Sequence, residues 1–174
     1  MLVKIEDNLY YDKGEKKIMK ERYRTLSAVI LMLIRQNNGI EEILLQKRKN
    51  TGYMDGYWDF SASGHVENME NMRMAMQREA KEELGIDIAI EDLKFVSLIH
   101  KINGIDTIYY NGYFQATKWE GIPKIVEQNK NEEIEWFDIH HLPENVIDDR
   151  KEAIKNYIQH VPYSEFGWNE RKQK

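Results

Sequence analysis

Three glutamates near the middle of the chain have the residue type and the spacing of ligands for a divalent metal ion. Glu79, Glu82 and Glu83 stand at positions i, i+3 and i+4, so a helix places their side chains close together. At about 100° per residue, Glu79 and Glu83 project into the apolar sector of that helix, and Glu82 lies at its edge. The apolar residues of this sector are Met72, Ala75, Met76, Ala80 and Leu84. Because a buried carboxylate needs a cation or several donors to offset its desolvation, the pattern predicts a bound cation, and oxygen ligands favour Mg²⁺ or Mn²⁺.

The glutamates belong to a longer set of residues with fixed spacing. Residues 64–86 read GHVENMENMRMAMQREAKEELGI, and this segment also contains Gly64, Glu70, Arg78 and Gly85. It resembles the complete signature motif of the Nudix hydrolases, because every charged position and both glycines match. Ala80 stands where that family usually has a larger aliphatic residue, a difference that concerns packing and not chemistry.

The resemblance implies a reaction and a set of roles. The reaction is hydrolysis of a phosphoanhydride bond in a nucleoside diphosphate linked to a further group, X, by metal-activated water. The implied metal ligands are Glu79, Glu82 and Glu83, with the carbonyl of Gly64 as a further ligand. Glu82, Glu83 and Arg78 also belong to the implied catalytic set. The alternative hypothesis is a Nudix-fold sensor module that binds a nucleotide without turnover, and the intact glutamates favour the enzyme.

Other residues of the motif have structural roles in this interpretation. Glu70 and Arg78 brace the loop and the helix through an ion pair, although a simple surface salt bridge explains the pair equally well. Asn71 is the predicted N-cap of the helix. Gly85 is the predicted stop, because glycine has no Cβ and suits the left-handed position after a helix end.

A further acid is expected beyond the motif, because many family members recruit one as a metal ligand or as the general base. The segment VEQNKNEEIEWFDIHHLPENV resembles a subset of bacterial Nudix proteins with a Glu-Pro-x-Lys-Cys run before a Trp-Phe strand. Glu127 and Lys130 occupy the Glu and Lys positions, whereas the Pro and Cys are replaced. Glu127 is therefore the first candidate, Glu132 and Glu133 are the alternatives, and a loop surface is the competing interpretation of all three.

Candidate substrate-binding residues come before the motif and at its first glycine. Arg48, in the basic run 47–49, is a candidate phosphate ligand, although a solvated strand end explains such a run equally well. Tyr53, Asp55 and Trp58 lie in a stretch that matches the same bacterial subset, and they are candidates to line the pocket. Aromatic rings stack on nucleobases, but Trp58 suits a core position as well. His65 is a candidate to contact substrate or to fill space.

These residues must be positioned by a mixture of strands and helices. Aliphatic and β-branched residues predict a hairpin of strands, and a loop over residues 50–64 leads to the motif helix. The resemblance implies the Nudix α/β/α sandwich with a mixed β-sheet over residues 25–160. Residues 1–24 are expected to form an N-terminal extension that packs on the domain, and residues 161–174 a C-terminal tail. The predicted strands are 25–36, 41–48, 93–102, 106–119 and 134–138, and a last helix spans 144–160.

Composition limits the remaining functions. The 174 residues carry a net charge of −5 with acids and bases interleaved, which argues against a nucleic-acid polymer as partner and leaves a small nucleotide. The absence of cysteine excludes a thiolate site and the cysteine-dependent isopentenyl diphosphate isomerase branch of the superfamily. No apolar stretch is long enough to cross a membrane, so a cytoplasmic protein is expected. Aromatic residues of the tail are expected to cover the core or a homodimer partner.

The identity of the nucleotide is left open by the sequence. Tags that separate family subgroups usually follow the motif, and the segment LIHKINGID contains none of them. Nucleoside triphosphates, including oxidised ones, and nucleoside diphosphate conjugates therefore remain alternatives.

Overall fold

The N-terminal segment contains a small sheet. A computed structural model of the protein describes residues 3–6, 9–12, 15–18, 25–103 and 107–168, the first three ranges as backbone only. Those ranges are antiparallel strands β1 (Val3–Glu6), β2 (Leu9–Asp12) and β3 (Glu15–Ile18), which form a sheet of their own. The predicted packing of the 1–24 extension on the domain lies outside the described residues.

The main sheet has eight strands and is mixed. Its strands are β4 (Leu26–Asn37), β5 (Ile40–Arg48), β6 (Trp58–Phe60), β7 (Ala62–His65), β8 (Lys94–Asn103), β9 (Thr107–Ala116), β10 (Asn131–Asp138) and β11 (Tyr163–Phe166). The order is β10-β5-β4-β9-β8-β11, while β6 pairs with β5 and β7 pairs with β4. The pairs β4/β9 and β8/β11 are parallel, and the other pairs are antiparallel.

The hairpin of β4 and β5 creates the opening in which the site lies. It turns at Asn38 and Gly39, whose φ angles of 52° and 83° suit a two-residue hairpin turn. Direct pairing of β4 with β5 ends at the Ile34–Ile43 pair, and β6 and β7 occupy the opening beyond it. The predicted loop over residues 50–64 was therefore wrong for these two strands, which pair with backbone groups that the hairpin leaves free.

Two helices cover opposite faces of the sheet and confirm the predicted α/β/α sandwich. Helix α1 (Met72–Leu84) packs on one face with Val29, Leu31 and Leu33, while α2 (Asp148–Gln159) packs on the other with Ile30, Met32 and Ile34. This division follows from the alternation of side chains along β4. The α1 caps are as predicted: Asn71 Oδ1 accepts from two backbone N–H groups, and Gly85 has a φ of 69°. The sequence predicted that the second helix begins at residue 144, whereas in the structure it begins at Asp148.

The segment predicted as a C-terminal tail contributes to the sheet. Strand β11 pairs with β8, Phe166 packs against the α2-side core, and the indole N–H of Trp168 donates to the carbonyl of His100 at 2.8 Å. These contacts agree with the prediction that tail aromatic residues cover the core. Among the described residues, no helix has the length and apolar character needed to cross a membrane.

Candidate active site

A cavity of about 390 Å³ lies at the opening between β4 and β5. The sheet forms its floor, the segment from β5 to β7 forms one wall, and α1 and α2 each contribute a residue. Among the residues that line it are Gln46, Arg48, Tyr53, Gly64, His65, Glu83, Lys101, Tyr109, Asn111, Lys130 and Arg150. The cavity therefore joins the end of the motif helix to polar residues on the sheet.

Glu83 is the motif glutamate that faces this cavity. One of its carboxylate oxygens accepts a hydrogen bond from the backbone N–H of Ser63 at 3.0 Å. Burial, together with the nearby carboxylates of Glu79, Glu127 and Asp59, raises the pKa of Glu83 to about 8, although the hydrogen bond from Ser63 opposes these effects. A carboxylate in this position favours a bound cation, because a cation would offset both the burial and the like charges.

Arg78 is the cation that neutralises the other motif glutamates in this conformation. Its guanidinium donates to Glu70 at 2.8 Å, to Glu79 at 2.7 Å and to Glu82 at 3.1 Å. It also donates to the carbonyl of His65 at 3.1 Å. The predicted partnership of Arg78 with Glu70 is thus one part of a network that ties the loop before α1 to the helix.

Glu79 lies directly against the first glycine of the motif. A Cβ atom on Gly64 would overlap the carboxylate of Glu79, so only glycine leaves room for this contact. Burial raises the pKa of Glu79, although the hydrogen bond from Arg78 opposes that effect. The close approach of Gly64 and Glu79 places two of the predicted metal ligands next to each other.

The predicted ligands have the chemistry that a divalent metal ion needs, but in this conformation they are not arranged around a metal site. Within the part of the chain that the structure describes, no three aspartate, glutamate, histidine or cysteine side chains converge closely enough to hold an ion. The reason is that Arg78 bonds Glu79 and Glu82, which would have to exchange the guanidinium for the ion. The predicted metal ligands are nevertheless all oxygens, which suits a hard divalent cation. Among the described residues, Glu83 also accepts only one hydrogen bond, so its carboxylate has room for an ion.

The structure separates the three candidate acids outside the motif. Glu127 lies close enough to Glu83 to raise its pKa, and it accepts from Lys130 at 2.8 Å. Glu132 and Glu133 instead lie along β10, where each is 3.8 Å from the ammonium of Lys47. Glu127 is the acid that is placed to act with the motif. The sequence identified Lys130 only as a matching position, but its side chain lines the cavity.

The predicted substrate residues divide into two groups. Arg48, Tyr53 and His65 line the cavity. Asp55 and Trp58 are not among the residues that line it, and their role in substrate binding stays a prediction. The Asp55 carboxylate accepts from the backbone and side chain of its own loop, and Trp58 is a core residue, 7% exposed. The segment before the motif, residues 48–58, therefore contains pocket, loop and core residues.

A buried chain of charges connects the cavity with α2. Asp59 accepts from Arg48 at 2.9 Å and from Arg150 at 2.6 Å, and Asp149 accepts from Arg150 and from Lys101 at 2.8 Å each. Burial disfavours the charged form of Asp149, yet Arg150 and Lys101 hold its pKa below the ordinary value. Sequence reasoning missed this network. The available signals were Lys101 within an aliphatic strand and the charged start of α2.

Comparison with known proteins gives a family and two curated relatives. A family model described as NUDIX domain matches residues 24–158. Uncharacterized Nudix hydrolases of Listeria innocua and Listeria monocytogenes are each 33% identical to this chain over 99 residues. The aligned region covers 56% of this chain and 55% of each relative, so the chain spans about half the length of the curated relatives it matches.

Solved structures share the fold. A MutT NUDIX hydrolase from Burkholderia pseudomallei has a TM-score of 0.68 and 24% identity, covering 77% of this chain and 98% of that one. A MutT protein from Methanosarcina mazei Go1 has a TM-score of 0.65 and 15% identity, covering 80% and 97%. The NUDIX domain of Shewanella oneidensis NrtR, complexed with ADP ribose, has a TM-score of 0.62 and 15% identity, covering 80% and 90%. At these identities the similarity concerns the fold.

Proposed function

This chain belongs to the Nudix hydrolase family, and we propose that it hydrolyses a phosphoanhydride bond in a nucleoside diphosphate linked to a further group, X. Water attacks one phosphorus, the bridging P–O bond breaks, and a nucleoside monophosphate leaves with phosphorylated X as the second product. The observation that carries the proposal is the position of Glu83, a half-buried carboxylate that faces a cavity also lined by Arg48 and Lys130. That combination suits a metal-bound polyphosphate.

The predicted ligands of a divalent ion, Mg²⁺ or Mn²⁺, are Glu79, Glu82 and Glu83 with the carbonyl of Gly64. When bound, such an ion neutralises phosphate charge and lowers the pKa of a coordinated water. The support for this assignment is the contact of Gly64 with Glu79 and the exposure of Glu83 to the cavity.

The remaining roles follow from the position of each side chain. Glu127 is the proposed acceptor of the proton from the attacking water, because it is the one of the three candidate acids beyond the motif that lies close enough to Glu83 to raise its pKa. Arg48 and Lys130 are the proposed donors to phosphate oxygens, since both line the cavity and carry charge. Arg78 is a positioning residue that holds Glu70, Glu79 and Glu82.

One observation favours the second candidate function, a module that binds a nucleotide without turnover. Arg78 bonds two of the three predicted metal ligands in this conformation. If that arrangement persists with a nucleotide bound, the chain binds and does not hydrolyse. The NUDIX domain of NrtR, to which the chain is similar in fold, is complexed with ADP ribose.

The experiment that separates these functions measures product release from a panel of nucleotides. Nucleoside triphosphates, nucleotide sugars, ADP-ribose and dinucleotides are incubated with and without Mg²⁺, using wild type, Glu83→Gln and the control Glu152→Gln on the outer part of α2. Metal-dependent release of a nucleoside monophosphate by wild type and the control, lost in Glu83→Gln, supports the hydrolase. Silence across the panel, together with a rise in Tm on adding nucleotides, supports the binding module.

A further inference from the structure

Two buried side-chain amides in the cavity have oxygen atoms without a hydrogen-bond partner among the described residues. Asn111 on β9 is 5% exposed and Gln46 on β5 is 3% exposed, and both line the cavity. Within the described part of the chain, Asn111 Oδ1 and Gln46 Oε1 accept no hydrogen bond. A buried polar group without a partner is costly, so a ligand that bonds to these amides is favoured.

A lysine lies beside Asn111 on the floor of the cavity. Strands β8 and β9 pair Lys101 with Tyr109 and Ile99 with Asn111, so Lys101 and Asn111 are diagonal neighbours on one face. The Cβ atoms of such neighbours are about 7–8 Å apart or slightly less, a gap that the edge of a flat ring can enter. The ammonium of Lys101 donates to Asp149 at 2.8 Å, and it has three N–H donors and no acceptor.

We propose that this polar floor, formed by Gln46, Lys101 and Asn111, binds the keto edge of a nucleobase, that is, a ring carbonyl beside a ring N–H. The inference rests on the proposed function, because it assigns the base of the nucleotide that the hydrolase would cleave. Lys101 donates to the ring carbonyl, and an amide oxygen accepts from the ring N–H. Hypoxanthine, guanine and uracil present this edge.

Lys101 is the residue that discriminates between keto and amino bases. An amide can reverse its donor and acceptor, so Asn111 and Gln46 alone would accept either kind of base. An amino base places an NH₂ group where the keto base has its oxygen, and this group would face the N–H donors of Lys101. The rings of Tyr53 and Tyr109 also line the cavity and offer faces for stacking.

The test uses ligands that differ only at this edge. Inosine and adenosine 5′-monophosphates form one matched pair, and uridine and cytidine 5′-monophosphates form the other. None contains an anhydride bond, so the proposed activity cannot consume it during calorimetry. We expect wild type to bind the keto member of each pair about tenfold more tightly, as one well-placed polar contact allows. Ribose 5-phosphate, which has no base, should bind more weakly than either keto ligand.

Three variants assign the effect to the floor. Lys101→Met should bring the keto-to-amino ratio close to one. Asn111→Leu, which breaks no ion pair and protects the test if Lys101→Met fails to fold, should weaken binding of the keto ligands about tenfold. The control is Ser97→Ala, since Ser97 is also buried on β8 with an unpartnered hydroxyl but does not line the cavity. It should leave every affinity unchanged.

The outcomes separate this inference from the proposed function. Equal affinities within each pair, tighter binding of the amino member, or equal binding of ribose 5-phosphate overturns the keto edge even if the nucleotide panel shows hydrolysis. No binding of any ligand also overturns it. If the protein prefers keto bases, loses that preference in Lys101→Met and hydrolyses nothing, the nucleobase site is supported and the proposed hydrolase activity is excluded.

Discussion

Replacement of Glu83 by glutamine should make the protein more stable while it removes the proposed activity. The pKa of Glu83 is raised from 4.5 to about 8 by burial and by neighbouring carboxylates. In the pH range between these values the folded chain retains a proton that the unfolded chain releases. The free energy of unfolding therefore falls as pH rises through this range. Glutamine carries no charge and can still accept the hydrogen bond from Ser63, so Glu83→Gln avoids this loss.

The size of the effect follows from the shift. Each pH unit between about 4.5 and 8 removes about 1.4 kcal/mol from the free energy of unfolding, so the loss at pH 7 is about 3 kcal/mol. The variant should then be more stable than wild type by about this amount at pH 7 and equally stable near pH 4. For a chain of this length, that corresponds to a rise in Tm of roughly 6–12 °C.

Urea denaturation between pH 4 and 8, in buffer containing EDTA, measures this difference. Glu82→Gln is the matched control, because Glu82 lies on the same helix with its side chain 57% exposed, and its loss should change stability by about 0.5 kcal/mol or less. Addition of Mg²⁺ should stabilise wild type more than Glu83→Gln. If wild type and Glu83→Gln show the same dependence of stability on pH, the description of Glu83 as a destabilised half-buried carboxylate is refuted.

Three further changes test other parts of the site. Arg78→Lys should destabilise the fold by about 2–4 kcal/mol in urea melts, because one ammonium cannot reproduce the several bonds of the guanidinium. Gly64→Ala should lower turnover because its Cβ would displace the carboxylate of Glu79, a proposed metal ligand, whereas a Cβ on Gly112 would meet the Met72 thioether at 2.9 Å and the Phe114 ring at 3.3 Å; equal turnover of the two variants would contradict this reasoning. Asp149 has a lowered pKa, so its stabilisation is present above pH 3.8 and is lost as pH falls through the folded pKa. Asp149→Asn should flatten the acid limb of urea melts between pH 2 and 6, and an unchanged limb would count against the ion pairs.

Local chemistry made part of the fold predictable. The Asn38–Gly39 turn, the Asn71 cap and the Gly85 stop each depend on one or two residues, and the structure has all of them. Strands β6, β7 and β11 were missed because they are three or four residues long, too short for an alternating pattern. Their positions depend on partners distant in sequence.

The site divides in the same way. The three predicted metal-binding glutamates were visible because all of them lie on one helix with regular spacing. Lys101, Asn111 and Arg150 come from two strands and a helix, and their meeting depends on the pairing of β8 with β9 and on the packing of α2. Trp58 was left open between the pocket and the core, because an aromatic residue near a motif suits either position, and its packing against Phe137 depends on a residue distant in sequence.

The position of Arg78 explains how a helix with carboxylates on its core side can fold before a cation binds. The guanidinium neutralises Glu79 and Glu82, whereas Glu83 has only a backbone N–H. An ion that enters the cavity would therefore meet Glu83 first and compete with Arg78 for the other two carboxylates. The affinity for the ion then depends on the difference in free energy between the contacts of the glutamates with the ion and their contacts with Arg78. A variant that weakens Arg78 without unfolding the chain would bind Mg²⁺ more tightly, although it would hold its glutamates less firmly.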